Sequence, residues 1–151
     1  MAALVPVVFQ TILVVEDNQS VLEVVRLTLK NAGYTVLDAT SAEQAIQIES
    51  NFAGTIHLLL SDVMMPGMSG CDLAKVLVDR RKDMRVMLMS GYPGGDLLVL
   101  NYGWYFIHKP FVPKGLLERV NEVLNSRDRS QGTDHFSTEH LTEGSTNRAV
   151  H

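Results

Sequence analysis

Four polar signatures follow one another along the chain, each just past a short apolar segment. Glu16-Asp17 follows Ile12 to Val15, Asp62 follows Leu58 to Leu60, Ser90 follows Val86 to Met89, and Lys109-Pro110 follows Tyr105 to Ile107. Carboxylates, a hydroxyl and an ammonium in this order suggest an aspartate built to be phosphorylated. Packed carboxylates repel one another unless a cation joins them. All-oxygen ligation suits Mg²⁺, which favours a few carboxylates, retained waters and substrate phosphate oxygens. If the apolar segments are parallel strands, all four signatures meet at one sheet edge, where open α/β sheets bind ligands.

The elements between the signatures support that placement. Ile12 to Val15 is a continuous β-branched and leucine run, as expected of a parallel strand covered on both faces. Val21, Val24, Val25 and Leu29 recur at helical spacing and predict a first helix, stopped at Gly33. A strand at Tyr34 to Asp38, a helix from Ala42 to about Ser50 capped by Ser41, and a strand at Ile56 to Ser61 follow. Next come a helix from about Gly70 to Arg80 with Leu73, Val76 and Leu77 on one face, and a strand at Arg85 to Met89. A short fourth helix is expected within Gly95 to Asn101, then a strand at Trp104 to Ile107. A fifth helix starts near Pro113 and turns Leu116, Val120, Val123 and Leu124 inward. Five strands and five helices joined by right-handed crossovers make a doubly wound α/β sandwich.

Length and composition bound the rest. A chain of 151 residues accommodates one domain with a sizeable core. The division expected is an N-terminal extension over 1–10, the domain over 11–126 and a flexible tail over 127–151. The tail is rich in Ser, Thr, Gly, Asn and charge, and has too little apolar surface to offset its ordering entropy. A formal charge of -4 gives no electrostatic reason to expect direct nucleic-acid binding. The single cysteine, Cys71, cannot form an internal disulfide, which fits a reducing cytoplasm. No stretch approaches the roughly 20 apolar residues of a membrane span, and the apolar start, Ala2 to Phe9, lacks a positive leader.

Val14-Val15-Glu16-Asp17-Asn18, Asp62-Val63-Met64-Met65-Pro66-Gly67-Met68-Ser69-Gly70, Met89-Ser90-Gly91-Tyr92 and Phe106-Ile107-His108-Lys109-Pro110-Phe111 together resemble the response-regulator receiver domain of two-component signalling. The wording is most similar to receivers of hybrid histidine kinases, and stand-alone receivers share it. The resemblance implies a flavodoxin-like sheet of order 2-1-3-4-5. It implies that Mg²⁺ is held by Asp17, Asp62 and the Met64 carbonyl, with Glu16 acting mainly through water. Asp62 would take a phosphoryl group from a phosphohistidine on a histidine kinase or phosphotransfer protein, and Lys109 would neutralise the developing charge. Ser90 and Phe106 would form the switch that repacks the face of helix 4, strand 5 and helix 5 for a downstream protein partner. The Lys109-Pro110 bond would be cis. Such a protein catalyses its own phosphorylation but is more a switch than a turnover enzyme.

Two other functions compete: a constitutive interaction module that is never phosphorylated, and a haloacid-dehalogenase-like phosphatase. The intact Asp17, Asp62, Ser90 and Lys109 argue against the first. The second needs another acid two residues past the nucleophile, where this chain has Met64. His57, His108, His135, His140 and His151 lack paired ligand spacing. Three departures from the family pattern stand out. The Ser90 to Lys109 interval is shorter by roughly one helical turn; Phe106 replaces the common tyrosine; and Gly103-Trp104-Tyr105 replaces smaller residues. Trp104 either closes the core over the shortened segment or joins Leu97 to Leu100 in an exposed partner or homodimer patch.

By the same resemblance, Met64 and Tyr92 occupy the positions that tune dephosphorylation. Both are bulky and lack a carboxamide or acid to orient an attacking water, so autodephosphorylation is expected to be slow. Met64→Asn should raise the hydrolysis rate of the phosphorylated protein, measured as loss of the phosphoryl mass with time; an unchanged rate would count against this account.

Overall fold

Strand β1 (Thr11–Val15) is buried along its whole length, as a continuous apolar run must be when both faces of its sheet are covered. The computed structural model describes residues 9–94, 99 and 102–126. After β1 the described elements are α1 (Gln19–Asn31), β2 (Thr35–Ala39), α2 (Ala42–Asn51), β3 (Leu58–Asp62), α3 (Gly70–Arg80), β4 (Arg85–Ser90), β5 (Tyr105–His108) and α4 (Pro113–Asn125). The strands form one parallel sheet of order β2-β1-β3-β4-β5, the flavodoxin-like arrangement. Four helices lie among the described residues. The additional helix expected within 95–101 falls outside them apart from Val99, which is buried, as do the N-terminal segment before Phe9 and the tail over 127–151.

The two-residue period of the strands divides the core. Leu13, Val15, Leu59, Val86 and Leu88 pack with Ala42, Ala45, Leu73 and Leu77 under α2 and α3. Ile12, Val14, Leu58, Leu60, Met87 and Met89 turn to the other face, against Leu22, Val25 and Leu29 of α1 and Leu116, Val120 and Val123 of α4. Local chemistry sets the helix ends. Asn18, Ser41 and Ser69 accept from the backbone N–H groups of Val21, Gln44 and Asp72. Gly33, at φ 102°, ends α1 in the left-handed region, with Tyr34 N–H donating to the Leu29 carbonyl.

The structure moves some expected boundaries. The inward face of α1 is Leu22, Val25 and Leu29, whereas Val24 is 50% exposed. Leu22, Val25 and Leu29 form a helical stripe of their own, and the packing of α1 on the sheet buries that stripe in place of the one through Val24. In α3, Ala74 lies buried beside Leu73 and Leu77, while Val76 is only partly buried. His57 precedes β3 instead of lying in it, and its Nδ1 accepts from the Thr11 N–H at 2.9 Å. Trp104 likewise stops one residue short of β5.

At the opposite end of the sheet from the polar signatures, the C-termini of α2 and α3 are clamped together. Glu49, 5% exposed, accepts from Arg80 Nη1 at 2.7 Å and Arg81 Nε at 2.9 Å. Arg81 also donates to the carbonyls of Phe52 and Gly54, each at 2.7 Å, so one guanidinium closes the end of α2. Burial pushes the Glu49 carboxyl up, but the two arginine hydrogen bonds outweigh it and hold the group below the usual carboxylate range.

Arg81→Ala leaves Glu49 with only the more exposed Arg80 and should cost about 3 kcal/mol in urea denaturation. Because the folded-state pKa of Glu49 is depressed, the clamp contributes fully above the unfolded carboxylate range, and its contribution is lost as pH falls through the lower folded value. Wild-type stability should therefore fall more steeply than that of Arg81→Ala on acidification below the ordinary glutamate pKa; parallel curves would exclude the clamp.

Candidate functional site

Parallel register carries each polar signature to the same edge. Val15 pairs with Ser61, Asp62 with Met89, and Ser90 with His108, so Glu16, Asp62, Ser90 and Lys109 all emerge at the C-terminal ends of adjacent strands. Glu16 N–H donates to the Ala39 carbonyl at 3.1 Å, which extends the sheet by one residue and buries the glutamate, 1% exposed. Its carboxylate accepts from Lys109 Nζ at 2.6 Å and from the Asn18 N–H at 3.1 Å. Lys109 Nζ also lies 3.2 Å from Asp62 Oδ2, bridging the first and third strands of the sequence from the loop after the fifth. Asp17 is exposed at the mouth. Glu16, Asp17 and Asp62 each offer an oxygen, all within 4.8 Å of one another.

Burial pushes the Glu16 carboxyl up, and the nearby Asp62 charge adds to this; the hydrogen bonds from Lys109 and Asn18 oppose the rise without cancelling it. For Lys109 burial pulls downward, but the Glu16 hydrogen bond and the two carboxylate charges prevail and hold the ammonium above its ordinary range. Lys109 is therefore a fixed cation at neutral pH. The hard oxygen donors fit a small divalent cation such as Mg²⁺, whose charge would relieve the repulsion that one ammonium only partly offsets.

Gly70, the last residue of the Asp62 motif, and Ser61, which the sequence did not single out, hold Asp62 in place. A Cβ on Gly70 would lie 2.0 Å from the Asp62 carbonyl oxygen, so only glycine lets the start of α3 approach this closely. Gly70 N–H donates to the Val63 carbonyl at 2.9 Å, and the buried Ser61 hydroxyl donates to the Asp62 carbonyl at 2.9 Å. A serine inside an otherwise apolar strand was the visible signal for Ser61. Asn18 was likewise missed as a ligand of the glutamate, through its backbone N–H.

Ser90 is buried; its Oγ accepts from the Tyr92 N–H at 3.0 Å, and its carbonyl accepts from the Lys109 N–H at 2.9 Å. The Lys109–Pro110 peptide is cis. Phe106 is half-buried against the α2 and α3 side of the core, edge-on to His108 with ring centroids 4.9 Å apart, and its carbonyl accepts from Arg119 Nε. Met64 and Tyr92 are exposed beside the site. Trp104 is partly buried against the core and stacks on the exposed Tyr102 at 4.4 Å, while Leu97, Leu98 and Leu100 of the expected patch lie outside the described residues. A cavity of about 570 Å³ opens next to Lys109, lined by Ser20, Val21, Val24, Val25, Pro110 and Phe111 among others.

Lys109→Met should strip the buried Glu16 of its cation and destabilise the metal-free protein by about 3 kcal/mol. Adding Glu16→Gln should recover much of that loss, giving a coupling of about 1.5–3 kcal/mol in a urea double-mutant cycle. Additive losses would show that the 2.6 Å contact carries no energy.

The sequence model of the response regulator receiver domain matches residues 12–121. Among curated proteins, the sensor kinase CckA of Brucella abortus is 33% identical over 121 residues, covering 78% of this chain and 13% of the kinase. The response regulator SaeR of Staphylococcus aureus is 26% identical over 136 residues, covering 87% of this chain and 58% of SaeR. The chain thus spans less than two thirds of either relative. Among solved structures, the receiver domain of the hybrid histidine kinase CckA is 38% identical with a TM-score of 0.61, covering 76% of this chain and 99% of that one. A CheY-like receiver domain protein of Methanospirillum hungatei JF-1 is 29% identical with a TM-score of 0.71, covering 78% and 95%.

Proposed function

The chain belongs to the response regulator receiver domain family, and on that premise we propose that Asp62 accepts a phosphoryl group from a phosphohistidine and that the modification switches a protein-binding face. The observation that carries this reading is the Asp62 carboxylate, 8% exposed at the sheet edge, with the Lys109 ammonium 3.2 Å away and two further acids beside it. A carboxylate oxygen of Asp62 attacks phosphorus; the N–P bond of the phosphohistidine breaks and the imidazole leaves with the electron pair. Lys109, held by Glu16, supplies positive charge to the phosphoryl oxygens as negative charge builds on them. Gly70 and Ser61 keep the Asp62 backbone from shifting during the attack.

Family members typically use Mg²⁺ at such an acidic pocket. The clustered carboxylates of Asp17 and Asp62 would hold it directly, with Glu16 acting mainly through water, and the Met64 carbonyl would be the further ligand that the family resemblance implies. Bound there, Mg²⁺ would neutralise charge on the transferring phosphoryl group. The Ser90 hydroxyl, engaged by Tyr92 N–H in the unmodified protein, would exchange that contact for a phosphoryl oxygen. One charge-assisted hydrogen bond is worth about 1.5–3 kcal/mol, less than the roughly 5.5 kcal/mol that a full two-state reversal takes. Lys109 must therefore share in the switching, and a turn of the Phe106 ring on β5 would be the readout.

The phosphodonor is a histidine kinase or phosphotransfer protein. We assign its docking to the apolar cavity beside Lys109, because Val24 turns to solvent on α1 and Val21, Pro110 and Phe111 surround it within reach of Asp62. An apolar helix face on the donor would bury these side chains and bring its phosphohistidine to the acid.

With Mg²⁺ and acetyl phosphate, intact mass should rise by one phosphoryl group in the wild type and not in Asp62→Ala; no gain by folded protein that binds Mg²⁺ would sink acceptance from small donors, and no Mg²⁺ binding would favour a constitutive interaction module. Val24→Glu should leave that small-donor reaction unchanged while slowing transfer from a phosphorylated histidine-containing donor protein at least tenfold, an order set by loss of apolar docking surface. Equal slowing of both reactions would place the defect in the acid site and not in docking.

A further inference from the structure

Resting on the reading that Asp62 carries the phosphoryl group, we propose that Met64 is an oxidation site, and that its sulfoxide shortens the life of the aspartyl phosphate. Of the described methionines, Met65, Met84, Met87 and Met89 are 8% exposed or less and Met68 packs against the core, while Met64 is 52% exposed. The chain alternates here. Val63 and Met65 both enter the core under α2 and α3, so Met64 between them turns out to solvent at the open edge where Asp62 emerges. Two residues of extended chain span at most about 7 Å, which keeps the thioether within reach of the acid cluster.

A thioether donates no hydrogen bond and accepts only weakly, so Met64 leaves water near the acid unoriented. A peroxide changes that. The sulfur lone pair takes the terminal oxygen of hydrogen peroxide, the O–O bond breaks, an S–O bond forms and water leaves; sulfur is oxidised by two electrons and the peroxide reduced. The sulfoxide oxygen is a strong acceptor at the mouth of the site, able to hold a water against the phosphorus. The only cysteine, Cys71, is half-buried, and burial pushes its thiol up so that it stays protonated; it is removed as a competitor by Cys71→Ser.

The test treats the 151-residue chain carrying Cys71→Ser with hydrogen peroxide and follows each methionine by peptide mass mapping. Met64 should oxidise about tenfold or more faster than Met65, Met84, Met87 and Met89. Acetyl phosphate is then added with Mg²⁺, and the decay of the phosphorylated mass is timed. Oxidised protein should lose its phosphoryl group severalfold faster than unoxidised protein. Met64→Leu should abolish the peroxide effect, and Met64→Gln should show fast decay without peroxide. Oxidation no faster at Met64 than at the buried methionines, or an unchanged lifetime after complete oxidation, overturns the proposal. Failure of the unoxidised protein to take a phosphoryl group overturns the underlying reading instead, and the mapping still decides whether Met64 is the preferred oxidation site.

Discussion

The Lys109 ammonium, 2.6 Å from Glu16 and 3.2 Å from Asp62, is the contact around which the rest of the molecule is arranged. Three carboxylates gathered within 4.8 Å at a sheet edge would drive one another to protonate or move apart. A buried glutamate held by a lysine from the far end of the chain keeps the acids together. The same ammonium then faces the atom at which phosphoryl charge would develop, so a stabilising contact and a chemical role fall to one side chain.

That contact imposes demands on the scaffold. Lys109 and Glu16 are 93 residues apart in sequence and meet only because β1, β3, β4 and β5 run parallel and in register. Parallel strands require helical crossovers, which cover both faces of the sheet and explain why its central strands are buried and mostly apolar. At the opposite end, the Glu49, Arg80 and Arg81 clamp fixes α2 to α3. The two ends differ in kind. The clamp's carboxylate is fully paired with two guanidinium groups, whereas the site retains more acid than its single ammonium offsets, which makes it receptive to a divalent cation.

The exposed apolar residues near the site belong to the same economy of positions. Val24 on α1 and Met64 after β3 are both exposed, Val24 lining the cavity that reaches Lys109 and Met64 standing two residues after Asp62. On the α1 side the apolar surface is continuous and concave, suited to a helical partner. On the Met64 side it is one flexible thioether, which can shield the acid without ordering water.

The order of the described strands and helices, the core of the last helix and the placing of the acids, hydroxyl and lysine at strand ends were legible in the sequence, because each depends on local periodicity or on residue type at a strand end. Leu116, Val120, Val123 and Leu124 are buried as their spacing required. The choice between Leu22 and Val24 was not legible: both fit a helical stripe, and only the packing of α1 on the sheet decides which turns inward. Nor does any local pattern reveal that the start of α3 must come close enough to Asp62 to demand Gly70, or that Glu16 binds Lys109 directly. Sequence determines which groups stand at the ends of strands, since that is a property of neighbouring residues. Their distances, burial and charge balance arise from elements far apart in the chain, and only the tertiary structure decides them.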